Sequence, residues 1–399
     1  MRGDPNRGTR VTDTDNRRLL LLVDDAPANI QIANAILKDD YRVRVATSGA
    51  KALELVKTRP VPDLILLDIG MPEMDGYEVC ARLKADEVTR DIPVIFLTGK
   101  TEAEDETRGF AAGAVDYIHK PFVPAIVKAR VHTHLALRAA REEIAERLAE
   151  IQKELEMARK IQLSILPHSV PSVAGLEIAA RYVPMTSVAG DFYDFLPVDE
   201  KRFGVLVSDV SGHGVPAALV ASMVKMAFAA QAAHARDPAE VLRGLNLALC
   251  GKLEDHFVTA AYLFVDTEKG TIDYAGAGHP PILVYSRSAG GARAHQQNGL
   301  FLGMFPQAKY SAIQIPLAAG DRCVVYTDGI SEARNPKAEE FGLDNLQALV
   351  EADPNLTSDA FADRVLVKVK DWTARSPAQG HDDDITLLTI RVNQGGAAS

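Results

Sequence analysis

Between residues 19 and 136, short apolar runs alternate with stretches whose apolar positions recur about every 3.6 residues. The runs are 19–23, 43–46, 64–67, 94–97 and 117–119, and helical spacing fills segments such as 28–37 and 77–83. Five strands alternating with helices predict an α/β unit: a five-stranded, doubly wound parallel sheet with helices on both faces. Acidic residues gather just past the strands, with Asp24 and Asp25 after the first and Asp68 after the third. Open parallel sheets bind ligands at those carboxyl ends.

Residues 137–166 carry a different period. Leu137, Ile144, Ile151, Ala158 and Ile165 recur every seven residues, and Leu148 and Leu155 fall four after Ile144 and Ile151. Charged residues fill most other positions, and no Gly or Pro interrupts before Pro167. This predicts a linker helix with a coiled-coil seam. Isoleucine at one seam position and leucine at the other is read as a parallel homodimer. Arg141 and Gln162 occupy seam positions near the two ends and make the coil imperfect there.

From Pro167 onward strand signals dominate, at 176–183, 203–207, 258–265, 271–274, 322–326 and 385–392. Helical spacing appears near 216–231, 238–253 and 358–372, and 286–291 reads as a loop. Sheets that need helices over their outer faces predict an α+β unit. The expected organisation is a tail (1–18), an α/β domain (19–136), the linker helix (137–166), an α+β domain (167–394) and a short tail (395–399).

Bulk properties narrow this little. The chain has 399 residues, is 47% apolar and carries a formal net charge of −10. The charge argues against a nucleic-acid partner. Cys80, Cys250 and Cys323 are the only cysteines and lie far apart, which favours a reducing compartment. The start has no apolar leader and no run suits a membrane span, so a cytoplasmic location is expected.

The chemistry lies in the acids. In the second half, four aspartates stand where apolar runs meet turns: Asp191 in Gly190–Asp194, Asp209 ahead of Val210-Ser211-Gly212-His213-Gly214, Asp328 in Tyr326–Gly329, and Asp383 between Asp382 and Asp384. Converging carboxylates are costly to desolvate and repel one another. A hard divalent cation resolves that conflict.

In the first half, Val23-Asp24-Asp25, Leu67-Asp68, Met71–Gly76, Thr98-Gly99 and His119-Lys120-Pro121-Phe122 occur in an order that resembles response-regulator receiver domains. The resemblance implies that Asp68 is a phosphoryl acceptor. It also implies a Mg²⁺ held by Asp24, Asp25, Asp68 and the carbonyl of Gly70. Lys120 is implied as partner of the acyl phosphate, Thr98 as a hydrogen-bond donor to it, and Tyr117 as the aromatic that changes rotamer with Thr98. Lys120-Pro121 is expected to be cis. A sensor histidine kinase or phosphotransfer protein is the implied donor.

In the second half, Met157–Pro167, Asp209–Leu219 and Ala277-Gly278-His279-Pro280-Pro281 resemble PP2C-type protein phosphatases of the bacterial partner-switching branch. The resemblance implies an α-β-β-α sandwich and two Mn²⁺ or Mg²⁺ ions. Their ligands are implied to be Asp191, Asp209 and the carbonyl of Val210, with Asp328 and Asp383 on the second ion; Asp382 and Asp384 remain alternatives to Asp383. Asp194 and Asp384 are expected beside the ions, while His213 and His279 read as structural. The implied substrate is a phosphoserine or phosphothreonine on an anti-sigma-factor antagonist. Gln162, in the last turn of the linker, is a candidate regulatory switch, expected to act through the helix after Gly214 on Asp209 and Val210. The competing reading is a non-enzymatic adaptor or partner-switching scaffold on a phosphatase-like fold.

Overall fold

A computed structural model of the chain describes residues 17–99, 109–374 and 383–393. Apart from Arg17 and Arg18, the expected tails lie outside the described residues, as does Asp382. The chain divides into two compact units, Met1–Glu150 and Ile151–Ser399.

In the first unit, β1 (Leu19–Val23), β2 (Arg42–Ala46), β3 (Leu64–Asp68), β4 (Val94–Thr98) and β5 (Asp116–His119) form a parallel sheet in the order β2-β1-β3-β4-β5. Every residue of β1, β3 and β4 is buried, which is why these segments read as unbroken apolar runs rather than alternations. Helices α1 (Pro27–Leu37), α2 (Gly49–Leu55) and α3 (Gly76–Ala85) supply part of the cover. The Asp75 carboxylate caps α3 by accepting from the Glu78 N–H.

Helix α4 runs unbroken from Pro124 to Ile165, 42 residues, so the expected boundary at 136/137 is not a break in the helix. Pro124 opens it, and no Gly or Pro follows until Pro167. Val127, Val131 and Leu135 are buried in the first unit's core. Leu137, Ile144, Leu148 and Ile151 are exposed. Leu155 and Ala158 are half-buried, and Gln162 is buried within the second unit. The exposed seam is therefore confined to 137–151. No helix among the described residues is long and apolar enough to cross a membrane.

The second unit is a sandwich of two sheets. It begins with β6 (Leu176–Val183), β7 (Phe192–Asp199) and β8 (Arg202–Val210), followed by helices α5 (Val215–Ala229) and α6 (Pro238–Leu249). Then come β9 (Val258–Asp266), β10 (Thr271–Ala277), β11 (Ile282–Ser286), β12 (Gly291–His295), β13 (Asn298–Gly299), β14 (Ile313–Pro316) and β15 (Arg322–Tyr326). The chain closes with α7 (Asp328–Ser331), α8 (Gly342–Ala352), α9 (Ser358–Thr373) and β16 (Ile385–Val392). One sheet is ordered β13-β10-β9-β8-β7 with β14 on β10, the other β12-β11-β15-β16-β6.

The inner faces meet over Val205, Val207, Leu263, Tyr274, Val325 and Leu388. Helices α5 and α6 cover the first sheet through residues such as Val224, Phe228 and Leu245. Helices α8 and α9 cover the second through Leu346, Val350, Phe361 and Val365. The layers are α-β-β-α, as the resemblance implied.

Several elements of this unit are absent from the sequence reading, β7 and α8 among them. β7 contains Asp194, Pro197 and Asp199, residues that weaken a strand signal, and its register shifts between Pro197 and Asp199. Helix α8 begins at Gly342, and its buried residues are Leu346 and Val350, so its periodicity is thin.

Candidate functional site

At the carboxyl ends of the first sheet, the three acids come together. Carboxylate oxygens of Asp24, Asp25 and Asp68 lie within 4.8 Å of one another. β1 ends one residue before Asp24, and β3 ends on Asp68, so the strands themselves set this spacing. Asp24 is fully buried and Asp25 exposed. Asp24 Oδ1 is fixed by the Ala26 N–H and the Asn29 amide. Lys120 Nζ donates to Asp24 Oδ2 at 2.7 Å and to Asp68 Oδ1 at 2.8 Å. Burial raises the Asp68 pKa against the opposing pull of Lys120. Burial opposes the Lys120 charge, yet the two carboxylates hold its pKa above the usual lysine value.

Thr98 ends β4 and is buried, and Lys120-Pro121 is cis. Tyr117 is buried, with Phe110 edge-on to its ring at 5.1 Å. Gly70 lies exposed two residues past β3. Asp24 and Asp68 share one lysine and Asp25 keeps an exposed flank, a donor set of oxygens that suits a hard divalent ion.

The second site lies at one end of the sandwich. Asp191 immediately precedes β7, Asp209 sits within the last turn-facing residues of β8, Asp328 opens α7 past β15, and Asp383 lies two residues before β16. Asp209 is inside the strand, paired across to Thr259, rather than beyond it. Each sheet thus contributes two acids. Asp191 is 2% exposed, Asp209 and Asp328 are half-buried, and Asp383 is exposed.

The electrostatics record the crowding. Burial, then the Asp209 charge, drives the Asp191 pKa well above the carboxylate range. Burial, with Asp328 and Asp383, pushes Asp209 up to about 8. Burial, with Asp383, pushes Asp328 up to about 6. Among the described residues, no trio of these acids converges within the spacing of the first site. Asp191 lies beside Asp209, and the charges of Asp328 and Asp383 act on Asp209.

Backbone geometry tightens the site. A Cβ at Gly190 would lie 2.9 Å from the Val210 carbonyl oxygen, and one at Gly329 would lie 2.0 Å from the Asp384 carbonyl oxygen. Glycine at both places lets the four acid-bearing segments close on one another. The Asp191 loop is held from several sides. Asp384 accepts from the Met185 N–H at 2.7 Å and the Gly190 N–H at 2.6 Å. Tyr182 donates to the Asp191 carbonyl, and Thr327 Oγ1 donates to Asp191 Oδ2 at 2.7 Å. Gln162 holds Ala189 at both its N–H and its carbonyl.

Asp384 is thus committed to backbone N–H groups. Asp194 lies on β7, where Lys225 of α5 pairs with it at 2.6 Å. Gln162 contacts the loop ahead of Asp191, whereas the expected route ran through α5 to Asp209 and Val210. His213 is exposed in the turn before α5. His279 is buried against Thr259, and burial lowers its pKa to about 3, so it stays neutral. Thr327, Tyr182 and the anchoring of Asp384 carried no assigned role in the sequence; a hydroxyl directly before Asp328 was the one available signal for Thr327.

Residues 199–393 match the Stage II sporulation protein E (SpoIIE) family, and residues 20–132 match the response regulator receiver domain. The phosphoserine phosphatase RsbU of Bacillus subtilis is 30% identical over 246 residues, 61% of this chain and 71% of that protein. A probable cyclic di-GMP phosphodiesterase of Vibrio cholerae is 53% identical over 116 residues, 29% of this chain and only 26% of that protein. The SiaA-PP2C domain of Pseudomonas aeruginosa shares the fold, with a TM-score of 0.56, 23% identity, and coverage of 62% of this chain and 100% of the domain. The chain therefore belongs to the response regulators in which a receiver domain precedes a SpoIIE-type, PP2C-like phosphatase domain.

Proposed function

We propose that this chain is a two-component response regulator whose output is metal-dependent hydrolysis of phosphoserine or phosphothreonine on a protein. The observation that carries this reading is the set of four crowded acids, two from each sheet, in which burial and then the neighbouring carboxylates raise the pKa values of Asp191, Asp209 and Asp328. Asp191, Asp209 and the Val210 carbonyl would hold one divalent cation, Mn²⁺ or Mg²⁺, and Asp328 and Asp383 a second. When bound, such ions neutralise phosphoryl charge and make a water acidic enough to act near neutral pH. The chain's own groups hold the loops in place. Asp384 binds the Met185 and Gly190 N–H groups, and Lys225 neutralises Asp194, which leaves neither carboxylate needed as a ligand. No side-chain nucleophile is required, and no phosphoenzyme is expected in this domain.

In the receiver, Asp68 is the acceptor. One of its oxygens attacks the phosphorus of the donor, the bond from phosphorus to the donor breaks, and the donor leaves with that electron pair. Asp24, Asp25, Asp68 and the Gly70 carbonyl would hold Mg²⁺. Lys120 already bridges Asp24 and Asp68, so it stands ready to pair with the new phosphoryl oxygens. Thr98 would donate to them, and Tyr117 would follow Thr98. A sensor histidine kinase or phosphotransfer protein supplies the phosphoryl group.

The substrate assigned here is a phosphorylated anti-sigma-factor antagonist, a reading supported by the likeness to a phosphoserine phosphatase. Helix α4 leads from the receiver to Gln162, whose amide grips Ala189 two residues before Asp191. Control of the phosphatase through that grip is the regulatory part of the proposal. Mn²⁺-dependent phosphate release from such an antagonist, compared between the native chain and Asp209→Asn, tests the activity. Equal release by both would remove the enzyme reading and leave a scaffold.

A further inference from the structure

We infer that Thr327 is a positioning residue that sets which oxygen of Asp191 faces the metal centre and ties the acids of one sheet to those of the other. The inference rests on the metal-dependent reading of this site and names a residue to which that reading assigns no role.

Thr327 follows the last residue of β15, with no exposed surface, and directly precedes Asp328. Its backbone extends the β15·β16 ladder by one pair, donating from its N–H to the Thr386 carbonyl at 3.0 Å. Its hydroxyl accepts from the Thr386 N–H at 2.9 Å. A hydroxyl has one proton to give. With the Thr386 N–H occupying an acceptor lone pair, that proton is aimed at Asp191 Oδ2, 2.7 Å away.

Asp191 belongs to the other sheet, at the start of β7. One hydroxyl therefore links the segment bearing Asp191 to the segments bearing Asp328 and Asp383. It also commits Oδ2 to the Thr327 hydroxyl, which fixes the turn of the carboxylate. Hydrogen bonds that orient a metal-binding carboxylate from behind are typically worth 10–100-fold in metal affinity. Without this one, Asp191 would turn toward whichever neighbour relieves its burial, and the spacing across the two sheets would loosen.

The test is Mn²⁺ titration of the full chain by calorimetry, with the receiver site as an internal reference. Thr327→Val keeps the shape and removes the hydroxyl, and Thr327→Ser restores the hydroxyl. The expected result is about 10–100-fold weaker binding at the phosphatase sites in Thr327→Val, near-native binding in Thr327→Ser, and an unchanged receiver site. Thr327→Ala removes the same hydroxyl with less bulk and serves if the valine chain does not fold. Native affinity in the folded valine or alanine chain, while Asp209→Asn loses Mn²⁺, overturns the positioning role and leaves the metal reading intact. If the native chain and Asp209→Asn bind Mn²⁺ alike, at the receiver alone, both readings fall.

Discussion

Each of the two sites gathers acids at strand ends, Lys120 pairing two of them in the first and no lysine or arginine pairing Asp191, Asp209 or Asp328 in the second among the described residues. In the phosphatase, the raised pKa values have a measurable consequence. An acid held above its unfolded pKa favours the folded state while protonated, and that contribution is lost as pH rises through the folded value. With Asp328 at about 6 and Asp209 at about 8, the metal-free chain should lose thermal stability between about pH 4 and pH 8. Added Mn²⁺ should restore it, and most strongly at the upper end of that window. Scanning calorimetry in chelator and in Mn²⁺ reads both effects; a flat profile in chelator would contradict the crowding. Asp209→Asn should remove at least about a hundredfold of phosphate release, more than the loss of an outer hydrogen bond, while the folded chain gains stability at pH 8 in chelator. At this scale the sequence already offered Asp24, Asp25, Asp68, Asp191, Asp209, Asp328 and Asp383. It did not separate Asp383 from Asp384, because adjacent residues differ only in which way the chain turns them. The fold turns Asp384 onto the Met185 and Gly190 N–H groups.

Among the elements, α4 is the one whose reading changes most. The heptad pattern continues to Ile165, but its last positions are used inside the second unit, and only Leu137, Ile144, Leu148 and Ile151 remain as an exposed apolar stripe. The spacing places Leu148 three residues before Ile151, which puts leucine at a and isoleucine at d. That pairing leans toward more than two strands, and Arg141 at a seam position opposes any close packing. Sedimentation of the full chain should show weak self-association that Ile144→Asp with Leu148→Asp abolishes, with little change in the stability of the dissociated chain. Association that survives the double change would place the interface elsewhere. The inner end of α4 is different in kind. Gln162→Ala would leave the buried Ala189 N–H and carbonyl without their partner, at a cost of about 1–3 kcal/mol. The melting temperature should fall, and Mn²⁺ binding should weaken because Asp191 follows Ala189 by two residues.

At the scale of the whole molecule, helix α4 runs from the receiver domain into the phosphatase domain. Coupling between them requires two arrangements that the receiver's phosphoryl state favours unequally. Phosphatase turnover should therefore differ between the chain treated with an acyl-phosphate mimic and the untreated chain. The difference should vanish in Asp68→Asn; equal turnover in the native chain with and without the mimic would sink the coupling.

The sequence by itself determined the two fold classes, the order of the domains and the acidic segments at the strand ends. Those features are written in local periodicity and in short motifs, where neighbouring residues specify their own strand, helix or turn. Tertiary structure decided the rest. It committed Thr327 to Asp191, Lys225 to Asp194 and Gln162 to Ala189, contacts between residues 136, 31 and 27 positions apart. It also divided the apolar positions of α4 between the first unit's core, a free surface and half-buried places in the second unit. Such partners are chosen by the packing of sheets and helices, so no local pattern announces them.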